Sequence, residues 1–335
     1  MNIRNKNYKP IGLWAKIPHG IWIREATSVS VDSKDNVYIF NRGNIPILKF
    51  DTYGNLIDKW GTEAPYSEIT TKELRPGVKL QSWSGSNFTR PHSIRIDRDD
   101  NMWLVDDSGN MISKYDLSFN LKLQIGDGNP SERESGIPFN RPTDVTIRES
   151  TGEIFISDGY GNSRVHHFDP EGKLIKSWGE SGTSPGKFSL PHNLVMINDQ
   201  ELLVCDRENH RVQIFHINGE FIREWHVHKA VAVTVDMEGK IYIAEQGPPP
   251  VQKGVKNLGH SVGIWNDKGE LIERLGSEFP GEKHDQFLWP HSIAVDSKGT
   301  IYVAEVSFVE VGRTLDPPRE MASFRVWEKL SNNQV

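Results

Sequence analysis

The stretch RPTDVTIRESTGEIFISDGYGNSRVHHFDPEGKLIKSWG, Arg141 to Gly179, holds four short apolar runs separated by turn-forming residues. Val145 and Ile147, then Ile154 and Ile156, alternate with polar residues across Glu-Ser-Thr-Gly. Period-two alternation interrupted by Gly and polar residues is the pattern of a β-hairpin. The runs Val165–Phe168 and Leu174–Trp178, joined by Asp-Pro-Glu-Gly, add two more, so the stretch reads as about four antiparallel strands.

The same hairpin recurs along the chain. ATSVSVDSKDNVYIFNRG begins at Ala26, RPHSIRIDRDDNMWLVDDSG at Arg90, LPHNLVMINDQELLVCDRENHRV at Leu190, AVAVTVDMEGKIYIAEQG at Ala230 and WPHSIAVDSKGTIYVAEV at Trp289, which makes six units. Four-stranded units repeated six times, with almost no segment of helical period, predict an all-β fold: a six-bladed β-propeller in one domain over residues 1–335. The last unit supplies a third strand at Phe324–Trp327 and then stops. Its fourth strand is expected from the N-terminal segment Ile11–Ile23, which would close the ring and hide both open edges. The Gly/Pro/Ser-rich inserts Thr62–Phe88, Asp127–Pro138, Gly247–His260 and Ser307–Met321 are assigned to loops.

Composition removes several function classes. The chain has 335 residues, with 39 basic against 45 acidic ones and no long run of either sign, so no nucleic-acid surface is expected. Nowhere do 18 apolar residues run together, and the opening MNIRNKNYKPIGLW lacks a signal-peptide core, so the expectation is a soluble, cytoplasmic chain that meets no membrane. The single Cys205 lies in an apolar run, reads as a buried thiol, and agrees with a reducing compartment. The Trp residues that end units, as in SWG and KWG, are expected to wedge between blades. Oligomeric state is not legible.

Two columns emerge when the units are aligned. The residue that begins each first strand is Thr27, His92, Thr143, His192, Val231 and His291, so histidine occupies every second unit at separations of 100 and 99 residues. In a six-bladed ring these three residues lie one-third of a turn apart at one height. Three neutral imidazoles around a point with an open fourth position form a catalytic zinc site, so His92, His192 and His291 are the expected metal ligands. The competing reading is that Pro-His is only strand-start chemistry, with each ring bonded to nearby backbone. Fourteen residues after the anchor, or fifteen in the third unit, stand Asn41, Asp106, Asp158, Asp206, Glu245 and Glu305. These are expected to be structural, accepting backbone N–H bonds in the following turn. His166, His167, His210, His216, His226 and His228 share no column and are expected to pack or be solvated.

DGYGNSRV at Asp158 and DRENHRV at Asp206 resemble the NHL repeat, whose mark is an acid after the second strand followed by Asn-x-Arg-Val. More specifically, the span from VYIFNRG through WPHSIAVDSKGTIYVAE resembles the peptidyl-α-hydroxyglycine α-amidating lyase family. That resemblance implies zinc on His92, His192 and His291, a substrate-binding Arg42 in NRG, and an active-site Tyr160 in SDGY. It also implies a substrate pocket to which Trp289, Ser292, Asp107 and Arg207 are assigned. Three positions depart from the family. Ser292 replaces an Asp that helps hold a structural calcium, which argues against Ca2+ here. Trp289 replaces a methionine, and Gly161 replaces a half-cystine.

The implied chemistry is zinc-assisted cleavage of the C–N bond of an α-hydroxyglycine, giving an amide and glyoxylate from a small-molecule or peptide-like substrate. Two other readings stay open at this stage. One is a metal-dependent hydrolase of a small amide, ester or lactone. The other is a non-catalytic NHL scaffold.

Overall fold

The computed structural model describes residues 4–62, 69–75, 78–83, 86–248, 252 and 254–331, and of 69–75 and 78–83 the backbone only. Each predicted unit is a four-stranded antiparallel sheet, and there are six. The innermost strands are Ala26–Val31, Pro91–Ile96, Asp144–Ile147, Pro191–Met196, Ala230–Val235 and Pro290–Val295, of blades 1 to 6 in chain order. Blade 3, for example, continues outward through Ile154–Asp158, Arg164–Phe168 and Leu174–Trp178.

The first turn of a blade is held by an acid that the hairpin pattern depends on. Asp32 accepts the Lys34 and Asn36 N–H groups at 3.0 and 2.9 Å and the Tyr38 hydroxyl at 3.1 Å. Asp97 repeats this with the Trp103 indole at 2.8 Å, and Asp236 and Asp296 with the hydroxyls of Tyr242 and Tyr302 at 2.8 and 3.1 Å. The motif therefore couples turn chemistry to a buried aromatic on the next strand.

Hydrophobic burial lies between blades, because each sheet is too thin to bury both of its own faces. Trp103, Val105 and Ile112 of blade 2 pack with Val145, Ile156 and Phe168 of blade 3 in one cluster. Trp178 at the end of blade 3 lies 6.2 Å from Phe215 of blade 4, as the wedge reading of the tryptophans expected. Outer strands such as Leu56–Trp60 and Leu174–Trp178 are mostly exposed.

Closure occurs across the termini, but with a different segment from the one expected. Tyr8–Ile11 pairs with Phe324–Lys329, in register Tyr8 to Lys329 and Ile11 to Val326. Only Ile11 of the expected donor takes part. Gly12 and Leu13 (φ +54) break the extended run, and an added Cβ at Gly12 would lie 2.5 Å from the His284 ring. Trp14, Ile17, Ile21 and Ile23 instead pack as irregular chain against the cluster between blades 6 and 1.

The loop assignment of Thr62–Phe88 also needs correction. Ile69–Arg75 and Val78–Trp83 form an antiparallel hairpin, consistent with the β-branched Ile-Thr-Thr run before Pro-Gly. The rest of that insert at 63–68, 76–77 and 84–85 lies outside the described residues, as do 249–251 and 253 of Gly247–His260 and the chain ends 1–3 and 332–335. Ser307–Met321 contains a short α-helix, Ser307–Glu310, and a 3-10 turn, Gly312–Thr314. No described helix is long and apolar enough to cross a membrane.

Candidate active site

The column of strand-start residues coincides with a β-bulge. The register between the first two strands slips between Pro91 and Ser93, between Pro191 and Asn193, and between Pro290 and Ser292, which leaves His92, His192 and His291 as the extra residues. A bulged residue is turned out of the normal alternation. Proline fits the preceding position because the strand edge facing the channel needs no backbone N–H there. Pro-His is thus a device that aims an imidazole at the propeller axis.

The three rings meet there. Their centroids are 5.1, 4.9 and 4.7 Å apart for the pairs 92–192, 92–291 and 192–291, and the ligand nitrogens all lie within 4.8 Å of one another. All three are buried. Each Nδ1 lies against a backbone carbonyl: His92 on Thr143 at 2.6 Å, His192 on Val231 at 2.7 Å and His291 on Thr27 at 2.6 Å. A carbonyl has no proton to give, so each Nδ1 carries the hydrogen and each Nε2 keeps its lone pair. The acceptors are the three non-histidine members of the same column. Every histidine thus takes its orienting carbonyl from the next blade.

Electrostatics keep these rings neutral. Burial, then the charges of His291, Arg42 and Arg90, push His92 well below the ordinary imidazole value. Burial and His291 do the same to His192, and burial and Arg42 bring His291 down to about 3. Three neutral imidazoles with converging lone pairs are a poor arrangement unless something electron-poor sits among them. The donor set therefore fits a metal ion of the borderline kind that imidazole prefers, zinc foremost.

Tyr160 lies over the triad. Its hydroxyl is 3.0 Å from His92 Nε2 and 3.2 Å from His192 Nε2. It reaches this place because the preceding turn runs against blade 4: a Cβ at Gly159 would stand 2.0 Å from the Pro191 carbonyl oxygen, so only glycine permits the approach. Gly161 is equally tight, 2.1 Å from Asn140 Oδ1 by the same construction.

Arg42 sits beside the triad, donating Nε–H to the Pro91 carbonyl at 3.1 Å and pairing with Glu25. Its Nη2 is buried and has no hydrogen-bond partner among the described residues. Asp107 is fully buried between Arg90, with which it pairs, and Arg141 Nη2 at 3.2 Å. The Arg141 guanidinium in turn covers the Tyr160 ring, 4.5 Å from its centroid. Arg207 pairs with Glu208 at 2.9 Å, and its charge contributes to lowering the pKa of both His192 and His291.

The other two expected pocket residues are not drawn into this group. Trp289 packs edge-on against His260 at 5.4 Å. Ser292 turns into the seam between blades 6 and 1, bonding Ser28 Oγ at 3.0 Å and accepting the Val29 N–H at 3.2 Å. Sequence reasoning missed Arg90, Arg141 and Glu25. The Arg-Pro that opens both the second and third units was a usable signal for the first two, whereas no repeat position marks Glu25.

The acidic column is structural in the described geometry, with one refinement: its bonds reach back to the segment before the first strand. Asp106 accepts the N–H groups of Thr89, Arg90 and Gly109 at 2.6, 2.8 and 2.9 Å, and Glu305 those of Leu288 and Trp289 at 2.5 and 2.8 Å. Asp206 accepts that of Ser189 at 2.7 Å. These carboxylates hold the chain that delivers each histidine. Cys205 is buried, as expected, and burial raises its thiol pKa well above the usual value.

Comparison with known proteins adds an independent line. The NHL-repeat family model matches residues 139–168 and 188–215. The chain is 31% identical over 294 residues to peptidyl-glycine alpha-amidating monooxygenase B of Xenopus laevis, covering 84% of this chain and 33% of that protein. It is 30% identical over 333 residues to peptidyl-alpha-hydroxyglycine alpha-amidating lyase 1 of Drosophila melanogaster, covering 89% and 59%. The chain thus spans about a third of the first relative and somewhat over half of the second. Among solved structures, a streptogramin B lyase aligns with TM-score 0.59 over 96% of this chain and 98% of that one, at 12% identity, a likeness of fold alone. The chain is a six-bladed β-propeller that carries NHL repeats and is similar over most of its length to peptidyl-alpha-hydroxyglycine alpha-amidating lyases.

Proposed function

We propose that the protein is a metal-dependent lyase that cleaves the C–N bond of a carbinolamide of the α-hydroxyglycine type, releasing an amide and glyoxylate. One observation carries the reading: three imidazoles locked in the Nδ1–H form converge through Nε2 beneath the Tyr160 hydroxyl. His92, His192 and His291 would hold zinc, which when bound supplies Lewis acidity to a substrate oxygen and lowers the pKa of its hydroxyl.

The protein's own groups account for the remaining steps. Arg42 binds the substrate carboxylate through Nη2, which has no hydrogen-bond partner among the described residues, while Glu25 and the Pro91 carbonyl hold the guanidinium in position. Tyr160 serves as the proton carrier. Its hydroxyl gives its proton to the departing amide nitrogen while its oxygen takes up the substrate hydroxyl proton as the carbonyl forms, so the phenol ends as it began. The products then balance as one aldehyde and one primary amide, with no water consumed. Arg141, stacked on the ring and tied to Asp107, restrains the phenol against rotation. Arg207 adds positive potential that favours an anionic substrate. A cytoplasmic setting suits the single buried thiol.

Metal analysis of wild type beside His192→Ala, together with a glyoxylate assay on α-hydroxyhippurate, tests the proposal. One zinc per chain in wild type, loss of it in the variant and glyoxylate release are the expected results. Stoichiometric zinc without glyoxylate would leave the metal site standing and remove the lyase reading in favour of a hydrolase. Metal-free, chelator-insensitive protein would remove both and leave a scaffold.

A further inference from the structure

Below the histidines one side chain reaches across the channel to several blades. Arg95, three residues after His92 on the innermost strand of blade 2, reaches over blades 3, 4 and 5. Its Nη2 lies 2.7 Å from Asp144 Oδ2, 2.9 Å from Asn193 Oδ1, 3.3 Å from the Leu194 carbonyl and 3.2 Å from the Val233 carbonyl, and its Nε is 3.3 Å from Asp144 Oδ1. Asp144 is completely buried. On the far side of Arg95 is a cavity of about 300 Å³ lined by all six innermost strands. Two carboxylate oxygens, an amide oxygen and two carbonyls, contributed by three blades, form a hard-oxygen donor set of the kind that calcium takes.

A guanidinium already supplies the positive charge those oxygens need. The position at which the resemblance implies a calcium-binding acid is Ser292, whose hydroxyl is committed to Ser28 and Val29 in the blade 6–1 seam. The residues present therefore do not fit a structural calcium in this chain. We propose that the mid-channel cation site is filled by Arg95 itself, which ties blade 2 to blades 3, 4 and 5 and makes the propeller independent of calcium. Truncating Arg95 would then uncover a calcium site made of Asp144, Asn193 and the two carbonyls. This inference does not depend on the lyase reading.

The test is calcium binding by equilibrium dialysis and thermal unfolding of the zinc-loaded protein, with magnesium at equal ionic strength as control. Wild type should bind no calcium and show an unchanged Tm. Arg95→Ala should unfold several degrees lower, bind one calcium per chain, and recover roughly 2 °C or more in about 5 mM calcium, as weak oxygen sites do. Adding Asn193→Ala should abolish that recovery. If Arg95→Ala cannot fold alone, refolding in calcium is the readout, and recovery there supports the assignment. Calcium stabilisation of wild type, or an Arg95→Ala protein that calcium neither binds nor rescues, overturns it.

Discussion

Replacing Asp206 should separate its role as frame from the chemistry of the neighbouring histidine. Its buried carboxylate accepts the Ser189 N–H at 2.7 Å, Asn209 Nδ2 at 2.8 Å, Arg211 Nε at 2.8 Å and Gln213 Nε2 at 3.1 Å. Arg211 has other partners, in Glu224 at 2.9 Å and the carbonyls of Ser184 and Lys187 at 3.1 and 2.9 Å. Asp206→Ala orphans one part-buried backbone donor, toward the lower end of about 1–3 kcal/mol. It also removes the innermost partner of a buried cation, which costs about 3–5 kcal/mol when nothing else pairs it and less here. A loss of about 4 kcal/mol is expected. Burial raises the Asp206 pKa even with Arg211 opposite. Asp206→Asn keeps an acceptor for Ser189 but turns its NH2 toward the Arg211, Asn209 and Gln213 donors, so it saves only the backbone bond and should lose about 3 kcal/mol. Urea unfolding followed by tryptophan fluorescence measures both, with the slope compared to confirm that the change lies in stability. Because Ser189 leads directly into Pro191-His192, bound metal should fall in the Ala variant and stay near wild type in the Asn variant. A loss below about 1 kcal/mol in Asp206→Ala, or equal losses in the two variants, would refute this account of the frame.

Five further outcomes are expected. Tyr160→Phe should keep zinc yet lower glyoxylate release by about 10²-fold or more in kcat, the usual range for a lost proton carrier, and Arg42→Ala should chiefly raise KM. Gly159→Ala places a Cβ 2.0 Å from the Pro191 oxygen and should cost about 1–3 kcal/mol with weakened metal retention, measured by unfolding and metal analysis. For Asp107, burial alone would raise the pKa, but Arg90, Arg141 and Arg42 outweigh it and hold the carboxyl below its ordinary 3.8. Its contribution is then complete above that value and lost as pH falls through the folded pKa, so Asp107→Asn should flatten the acid side of the stability profile. Cys205 should react with a thiol reagent only after unfolding, which a time course in and out of urea will show.

The sequence alone determined the ring and the triad. A hairpin written six times, with period-two alternation and acid-bearing turns, can hardly be satisfied except by sheets stacked side by side around an axis. Histidine at alternate anchors then implies threefold convergence, because equal sequence spacing becomes equal angular spacing. The column of acids was legible for the same reason, as one chemical task repeated at one position. Whatever belongs to a single blade was not legible. Glu25 beside Arg42 and Arg95 across the channel have no internal copy against which to notice them, and Arg141 over Tyr160 left only the repeated Arg-Pro as a trace. The structure also shortened the closing strand to Tyr8–Ile11, since backbone breaks at Gly12 and Leu13 decide where pairing ends. Tertiary structure alone decided what orients the histidines: each imidazole takes a backbone carbonyl from the next blade, and a carbonyl carries no mark in the sequence.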